Sequence, residues 1–547
     1  MASTSLGALF SGLAALLALS AAGGIADAAN LLSPEAFPLQ VSGNRATLDW
    51  VSVPGAPRGT GKVLRIVVRE PSQPFYLLST GQALDRPQPG DRKLRLSFWG
   101  RSANRNPIRV VLEKTGPPYT AYADLLTGLS PAWKRYSVAE TAPAAGRGEL
   151  SVRLQFGHQA GTLELAGISL EDAGPDRELM TAEEAIKPEL VRQRIERYRK
   201  GALTVAARDA RGRPLPGCRV SVRQVQHAFF FGCNIFGLNP KDKSPGQLTY
   251  QRRSTRLLNF ATLPFYWGAF EPEQGKPQYA RLDAMAVWCR DHGLVTKGHP
   301  LVWHEVYPRW APQDPKAAIP LLRQRVHDLL THYRGLVRYW DVQNEANNSA
   351  TYPRTGVGQW VSRDGPAKVV ETTLGWARKD SKGSGQVLLY NDFDVSQRNI
   401  DLLKELARRH ALPDVIGIQS HMHLGNWPLE TVWQRTQRFA QFGRPLHYTE
   451  LTVLSGPPRG GIDLRNPPTD WLTTPEGEAA QAQYVESFYR LLFSHPSVQA
   501  ITWWDLADRD AWQNAPAGLL RKDLSPKPAY DRLMKLVRGE WWTRASG

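Results

Sequence analysis

The chain has 547 residues, which exceeds one ordinary domain and indicates two or three. Hydrophobic residues make up 42% of it, enough for a large core, and the formal net charge is +17. Lys and Arg are scattered without a long basic run, which is typical of a solvated surface, so we predict no nucleic-acid partner. Attraction to an acidic, uronate-bearing polysaccharide is the alternative interpretation of the charge. Three cysteines, Cys218, Cys233 and Cys289, exclude a disulfide framework and a cysteine zinc site. We expect buried free thiols, with a Cys218–Cys233 bond as the alternative.

Residues 1–29 are predicted to be an export signal. The apolar run LGALFSGLAALLAL is followed by Ala26-Asp27-Ala28, which fits a cleavage site with small residues at both ends. The run is short and rich in Gly and Ala for a membrane span, and no second apolar run of spanning length follows. We therefore expect a secreted or periplasmic protein with no membrane span in its mature form.

Residues 30–175 have the pattern of an all-β domain. Runs such as KLRLSFWGRS and LSVRLQFG alternate apolar with polar residues, and Gly, Pro and Asn separate them. Because no stretch with helical period interrupts these runs, we predict a β-sandwich of the jelly-roll type.

Residues 176–226 are predicted to connect this sandwich to the rest of the chain. The charged run AEEAIKPELVRQRIERYRKG has helical character. It is followed by GALTVAARDARGRPLPGCRVSVRQ, in which two β-runs flank a Gly/Pro turn, so we expect a β-hairpin there.

From residue 227 to 545, apolar β-runs alternate with helical stretches, several of which end in Gly. Eight βα units in a segment of this length favour a (β/α)8 TIM barrel over a doubly wound sheet. The predicted strands are HAFFFGCNIF, LLNFATLPF, LVTKGHPLVW, RYWDVQNE, QVLLYNDF, DVIGIQSHM, PLHYTELTV and VQAITWWDL.

The carboxyl ends of these strands carry a series of polar and aromatic residues. In a TIM barrel the active site lies at this rim. The residues are His299, Trp303 and His304 on strand three, Asn344 and Glu345 on four, Asn391 and Asp392 on five, Gln419, Ser420 and His421 on six, Glu450 on seven, and Trp503, Trp504 and Asp505 on eight. Six such strand ends in succession are more than a structural barrel requires, so we predict a catalytic site there.

Glu345 and Glu450 are the candidate catalytic pair. Glycoside cleavage needs one neutral acid to protonate the leaving oxygen and one ionised carboxylate on the other side of the anomeric carbon. Strands four and seven face one another across the mouth, and a separation of about 5–5.5 Å would allow direct attack with retention of configuration. An ionised Glu450 would raise the pKa of Glu345, and His421 could orient Glu450.

The motifs GHPLVWHEVYPRW, YWDVQNEANN, LLYNDF, GIQSH, HYTEL and WWDLADRDAW, in this order, resemble the catalytic domain of glycoside hydrolase family 10, chiefly endo-β-1,4-xylanases. The resemblance covers about residues 186–540 and includes the closing GLLRKDLSPKPAYDRL. It implies Glu345 as acid/base and Glu450 as nucleophile. It also implies sugar-binding roles for His299, Trp303, Asn344, Gln419, His421, Trp504 and Trp512.

Four departures from the family pattern concern substrate specificity more than the chemistry. The segment Leu263-Pro264-Phe265-Tyr266-Trp267 replaces the family's Glu-Asn and Met-Lys-Trp and is two residues shorter, so aromatics replace the polar grip on the more distant glycone sugar. Val306 stands where a Gln is expected, and Asp505 replaces a Gly. Thr452 replaces an Asp that supports the His–nucleophile pair.

The end of the β-rich region, FGHQAGTLELAGISLED, resembles carbohydrate-binding modules of the jelly-roll type. Trp99 and Trp133 could stack on a sugar ring or pack in the core of the sandwich. Two roles for this domain therefore follow from the sequence: it binds sugar, or it only shields the barrel.

We predict a retaining endo-glycosidase that hydrolyses β-1,4-xylan or a related plant β-glycan by double displacement, as a monomer and without a cofactor. His421-Met422-His423 has zinc-like spacing but no third ligand nearby in sequence, so we predict no metal. The chain has no Gly-x-Ser-x-Gly elbow, which argues against a serine hydrolase. The alternatives are a catalytically weak carbohydrate-binding protein and the same chemistry on another β-glycan.

Overall fold

The computed structural model describes residues 30–546 except 34, 40–43, 91, 117–118, 176 and 460–466. The predicted export signal at 1–29 lies outside the described residues. Within the described part of the chain, no helix has the length and hydropathy that crossing a membrane requires.

The predicted sandwich is confirmed: antiparallel strands before residue 176 form two sheets that enclose one apolar core. One sheet has the strand order β1-β2-β9-β4-β7, and the other has the order β3-β8-β5-β6. Every second side chain of β4 points inward between Leu94 and Phe98, where Leu94, Leu96 and Phe98 join the core. The strands are β1 (Ala46–Val51), β2 (Val63–Val68), β3 (Ser79–Ala83), β4 (Arg92–Arg101), β5 (Pro107–Lys114), β6 (Ala121–Gly128), β7 (Lys134–Thr141), β8 (Leu150–Gln155) and β9 (Gly161–Pro175).

The connector contains the predicted helices, α1 (Arg177–Ala185) and α2 (Pro188–Arg199). The hairpin expected after them is only partly formed, since one isolated bridge joins Arg208 to Pro214. Strand β10 (Ser221–Arg223) pairs instead with the C-terminal β19 (Arg544–Ser546). Both faces of this segment are exposed, so burial does not stabilise a longer ladder.

The predicted (β/α)8 barrel is confirmed by eight parallel strands that close in chain order. These strands are β11 (Phe230–Asn234), β12 (Phe260–Pro264), β13 (Val295–His299), β14 (Tyr339–Asn344), β15 (Val387–Asp392), β16 (Val415–Ile418), β17 (Leu446–Leu451) and β18 (Val498–Trp503). The helices are α3 (Pro245–Leu257), α4 (Trp267–Phe270), α5 (Tyr279–Asp291), α6 (Pro315–His332), α7 (Ala346–Ser349), α8 (Gly356–Asp364), α9 (Pro366–Asp380), α10 (Gln397–Arg408), α11 (Leu429–Ala440), α12 (Pro475–Phe493) and α13 (Pro528–Lys535).

An apolar layer fills the barrel interior near the amino ends of the strands. Phe260, Tyr339, Leu389 and Val415 pack together there. This layer separates the polar residues above it from the solvent at the amino ends of the strands. Ionisable groups between the apolar layer and the rim therefore lie in a poorly solvated environment, where electrostatic interactions are strong.

All three cysteines are free. Cys233 and Cys289 are buried, as expected, whereas the expectation was wrong for Cys218, which is exposed because it lies in the solvent-facing segment before β10. The alternative Cys218–Cys233 bond is not formed.

Candidate active site

Glu345 and Glu450 both lie at the rim of the barrel, with 7% and 3% of their surfaces exposed. Glu345 directly follows β14 and has left-handed backbone angles, φ 53° and ψ 47°. The Glu345 backbone N–H donates to the carbonyl of Asn391 at 2.9 Å, and the Glu345 carbonyl accepts from the Ser349 hydroxyl at 3.0 Å. These bonds hold an unfavourable backbone conformation that aims the carboxyl group at the mouth.

A chain of amide hydrogen bonds joins the two carboxyl groups. Asn344 Nδ2 donates to Glu345 Oε1 at 3.0 Å, and Asn391 Nδ2 donates to Asn344 Oδ1 at 2.9 Å. The same Asn391 nitrogen donates to Glu450 Oε1 at 2.7 Å. Gly417 makes room for this amide, because a Cβ at that position would lie 2.5 Å from Asn391 Oδ1. The two carboxyl groups therefore belong to one connected network.

Glu450 is held in its charged form by basic neighbours. His421 Nε2 lies 3.0 Å from Glu450 Oε2, and His421 Nδ1 lies 2.9 Å from the Thr452 hydroxyl. Burial alone would raise the pKa of Glu450, but His299, His421 and Lys297 outweigh it and the pKa is lowered. Thr452 thus supports His421 at the position where the family pattern has an Asp.

A buried ionic cluster lies behind Glu450. Asp341 Oδ2 accepts from Lys297 Nζ at 2.7 Å and lies 2.7 Å from His299 Nδ1. Burial would raise the pKa of Asp341, but Lys297 and His299 lower it. Lys297 and Asp341 are not among the residues predicted from the sequence. The signal that could have found them is a charged residue at an inward position of an otherwise apolar strand.

The surroundings of Glu345 favour its protonated form. Its pKa is raised well above the usual range, first by burial and then by the charge of Glu305. The Ser349 hydroxyl donates to the Glu345 carbonyl, so it accepts from Nδ1–H of His304, 2.8 Å away. The unprotonated Nε2 of His304 then faces Glu345 Oε2 at 3.8 Å without a hydrogen-bond partner. Burial lowers the pKa of His304 to about 3, so this ring supplies no positive charge.

Aromatic side chains form the walls of the cavity at the mouth. The rings of Trp504 and His421 meet edge to face at 5.6 Å, and Trp512 lies 4.9 Å from His421 with 43% of its surface exposed. Trp303 packs against Tyr266 at 5.6 Å. Of the predicted sugar-binding residues, those lining the cavity are His299, Trp303, Gln419, His421, Trp504 and Trp512. Asn344 lies behind Glu345 and contacts it directly.

Three of the departures from the family pattern, Tyr266, Val306 and Asp505, line this cavity. Tyr266 lines it, and burial together with the charges of Glu450 and Glu345 raises the pKa of its hydroxyl. Asp505 also lines it, and burial raises the pKa of that carboxyl to about 8. At neutral pH Asp505 is therefore largely protonated, so it adds little negative charge beside Glu450.

One group of side chains has the compactness of a metal site. Ligand atoms of His304, Glu305 and Glu345 all lie within 4.8 Å of one another. The His421–His423 pair has ring centroids 5.5 Å apart, but His421 is engaged by Glu450 and Thr452. The hydrogen bonds already made by His421 favour its role in orienting Glu450.

A (β/α)8 barrel with two buried carboxyl groups at its rim, of opposite pKa shift and surrounded by tryptophans, has the architecture of a glycoside hydrolase. The model of glycosyl hydrolase family 10 matches residues 261–536. The chain belongs to this family, and it is therefore a retaining glycoside hydrolase.

Several xylanases are similar to the barrel part of the chain. Endo-1,4-beta-xylanase B of Thermotoga neapolitana is 25% identical over 331 residues, which cover 57% of this chain and 88% of the relative. Endo-1,4-beta-xylanase of Agaricus bisporus is 27% identical over 286 residues, which cover 49% and 79%. The crystal structure of native xylanase 10B from Thermotoga maritima superposes with a TM-score of 0.49 at 22% identity, over 57% of this chain and 96% of that one.

Proposed function

We propose that Glu450 is the nucleophile and Glu345 the acid/base of an endo-glycosidase that hydrolyses β-1,4-xylan or a related plant β-glycan. The observation that carries this proposal is the opposite environment of two linked carboxyl groups. Basic neighbours lower the pKa of Glu450, whereas burial and Glu305 raise the pKa of Glu345. One group is thus kept as a carboxylate and the other as an acid, which is the division of labour that the reaction needs.

In the first step, Glu450 attacks the anomeric carbon while Glu345 transfers its proton to the glycosidic oxygen, so the leaving part of the glycan departs as an alcohol. In the second step, Glu345 takes a proton from water, the water oxygen attacks the same carbon, and Glu450 is released as a carboxylate. Each step inverts the anomeric carbon, so the product keeps the configuration of the substrate. Both steps use side chains of this chain alone.

We assign sugar binding to the residues implied by the family pattern. Trp504 and Trp303 offer flat apolar faces, and Gln419 and His299 offer hydrogen-bonding groups in the same cavity. Asn344 is placed to orient Glu345. The names of the relatives support xylan as substrate, while Tyr266 at the glycone side supports a difference in how the more distant sugar is bound.

Reducing-sugar release from a panel of β-glycans tests the activity. We expect hydrolysis of xylan or of a close relative, and loss of it in Glu450→Ala. A protein that binds xylan but releases no sugar from any β-glycan would instead be a carbohydrate-binding protein. The altered residues on the glycone side are the observation that favours this second candidate function.

The role of Glu345 is tested with two leaving groups. In Glu345→Ala we expect a loss of about 10²–10⁴-fold on xylan, whose leaving oxygen needs a proton. The loss should be far smaller on an aryl xyloside whose phenolate leaves unprotonated. Equal losses on both substrates would remove Glu345 from the acid role.

We also propose that the mature protein is exported, acts as a monomer, and divides into a sandwich (30–175), a connector (176–226) and a catalytic barrel (227–545). N-terminal sequencing of protein recovered outside the cytoplasm would test the export signal at 1–29. Light scattering would test the monomer. A mature N-terminus at Met1, or a dimeric mass, would contradict these expectations.

A further inference from the structure

The cavity at the barrel mouth continues into the interface with the sandwich. Its volume is about 1170 Å³, and it is lined from the sandwich side by Tyr122 and Asp124 of β6 and by Glu140 of β7. From the barrel side it is lined by Trp427 and Arg435, at the loop after β16 and on α11. A substrate in the active site can therefore extend between the two domains.

Direct contacts fix the sandwich over this part of the rim. Glu140 accepts from Arg438 Nη1 of α11 at 3.2 Å with both carboxylate oxygens, and the two side chains are 15% and 13% exposed. Arg105 Nη1 donates to the carbonyl of Ser362 at 3.2 Å. A largely buried charge pair of this kind sets the register of two surfaces.

Arg435 lies on α11 one turn before Arg438 and faces the cavity. Its guanidinium carbon lies 4.2 Å from the centre of the Trp427 ring. Among the side chains that the structure describes, which leave out those of residues 175–180 at the start of α1, no carboxylate oxygen lies within ion-pair distance of it. Burial lowers the pKa of Arg435, whereas the negative charge of Glu140 raises it. A net lowering is expected when nearby carboxylates balance the positive charge of a guanidinium only in part.

This part of the cavity lies on the Glu345 side of the two carboxyl groups. Helix α7, which starts directly after Glu345, contacts β6 of the sandwich, and α10 contacts β7. With Glu345 as the proposed proton donor to the leaving oxygen, the leaving part of the glycan lies on the Glu345 side of the pair. Strands β12 and β18, with Tyr266 and Trp504, lie on the other side of the barrel.

We propose that the cleft between sandwich and barrel binds the leaving-group part of a xylan chain that carries a uronic-acid side group, and that Arg435 holds its carboxylate. This inference rests on the proposed function. A guanidinium stacked on Trp427 keeps the N–H groups at its edge free for two parallel bonds to one carboxylate. Glu183 and Glu430 also line the cavity, so the site suits one carboxylate on a neutral backbone and not a polyanion.

Calorimetry with the full-length Glu345→Gln protein tests this proposal. The two ligands are a uronate-bearing xylo-oligosaccharide and the same compound with its carboxyl reduced to an alcohol. We expect the acidic ligand to bind about 10–100-fold more tightly, which corresponds to one charge-assisted hydrogen-bonded contact. The preference should disappear in Arg435→Gln and persist in part in Arg435→Lys.

Arg444→Gln is the matched control. Arg444 is exposed and precedes β17 at the opposite end of the barrel, so its removal changes the net charge equally and should keep the preference. Equal affinities for the two ligands, or a preference that survives in Arg435→Gln, would overturn the proposal. If Arg435→Gln does not fold, Arg435→Lys takes its place: a partly reduced preference supports the role of Arg435, and an unchanged preference contradicts it.

Hydrolysis of neutral xylan separates this inference from the proposed function. A protein that hydrolyses neutral xylan but binds the acidic and the reduced ligand with equal affinity contradicts only the role of Arg435. A protein that neither hydrolyses nor binds any xylan contradicts both.

Discussion

Glu305 adds a third carboxyl group to the mouth of the barrel. It lines the cavity, accepts a hydrogen bond from the Tyr352 hydroxyl, and lies in one cluster with His304 and Glu345. After burial, its charge is the largest cause of the raised pKa of Glu345. At the residue scale, Glu305 is therefore a positioning residue that helps keep the acid protonated.

Replacing Glu305 by Gln should move the basic limb of the pH profile of kcat/KM to lower pH. Gln can still accept from Tyr352, but it carries no charge, so the pKa of Glu345 falls and its proton is lost earlier as the pH rises. The acidic limb, which follows ionisation of Glu450, should move less. Initial rates on one soluble substrate across the pH range measure both limbs.

Glu305→Asp is the control for this experiment, because it keeps the charge and should keep the basic limb closer to its original position. An unchanged basic limb in Glu305→Gln would show that Glu305 does not act on Glu345.

The placement of the two proposed catalytic glutamates at the rim could be predicted from sequence, whereas the contribution of Glu305 could not. Glu345 and Glu450 directly end predicted strands, and strand ends in a barrel converge on one rim. Glu305 follows Trp303 and His304 in a loop, where a carboxylate is ordinarily solvated. Only the three-dimensional proximity of Tyr352 and Glu345 distinguishes it.

At the scale of the element, strands β13 and β14 carry the charged pair Lys297–Asp341 inside the barrel. Both side chains have no exposed surface and their charged atoms are 2.7 Å apart. Such a pair contributes little net stability relative to apolar residues, but loss of one partner leaves the other charge buried and uncompensated. Replacing either residue alone is therefore destabilising, so β13 and β14 each depend on the charged residue of the other strand.

Asp341→Asn should lower the free energy of unfolding by about 3–5 kcal/mol at neutral pH. The pKa of Asp341 is lowered in the folded state, so its stabilisation is present above its unfolded pKa of about 3.9 and is lost as the pH falls further. The difference between the two proteins should therefore shrink on acidification. Urea denaturation at a series of pH values measures it.

Glu273→Gln is the matched control for that series. Its partner Lys276 lies 2.6 Å away, but the two side chains are 68% and 71% exposed, so the change should stay within about 1 kcal/mol. A comparable loss in both variants would contradict the argument from burial.

Periodicity predicted all eight barrel strands but not the form of the segment before them. The strand pattern survives in the fold because its inward residues, such as Phe260 and Leu389, are buried. The segment at 201–226 alternates in the same way, yet Leu203 and Val205 are 69% and 51% exposed. Alternation predicts a ladder only where one face finds a partner, and that partner is not encoded locally.

At the scale of the whole molecule, the sandwich and the barrel are joined by residues far apart in sequence. Glu140 and Arg438 are separated by 298 positions. Nothing in either local pattern distinguishes them from other surface charges, so the placement of the sandwich beside the mouth could not be predicted from sequence.

Reversing one charge of this pair should loosen the docking of the domains. Arg438→Glu would place two carboxylates in a largely buried contact, at a cost of about 2–5 kcal/mol. We expect a larger radius of gyration in small-angle scattering and faster proteolysis of the connector at 176–200. The double variant Glu140→Arg/Arg438→Glu should restore both measurements, and Lys276→Glu on an exposed pair should change neither. An unaltered radius in Arg438→Glu would mean that other contacts hold the domains.

The exposure of Cys218 gives this protein a ready site for attachment to a surface. The other two thiols are buried, so a maleimide reagent should label one position without any substitution. Cys218 precedes β10 and β11, which places it near the amino ends of the barrel strands, away from the mouth. Enzyme immobilised through this thiol would present its cleft to an insoluble cell-wall substrate.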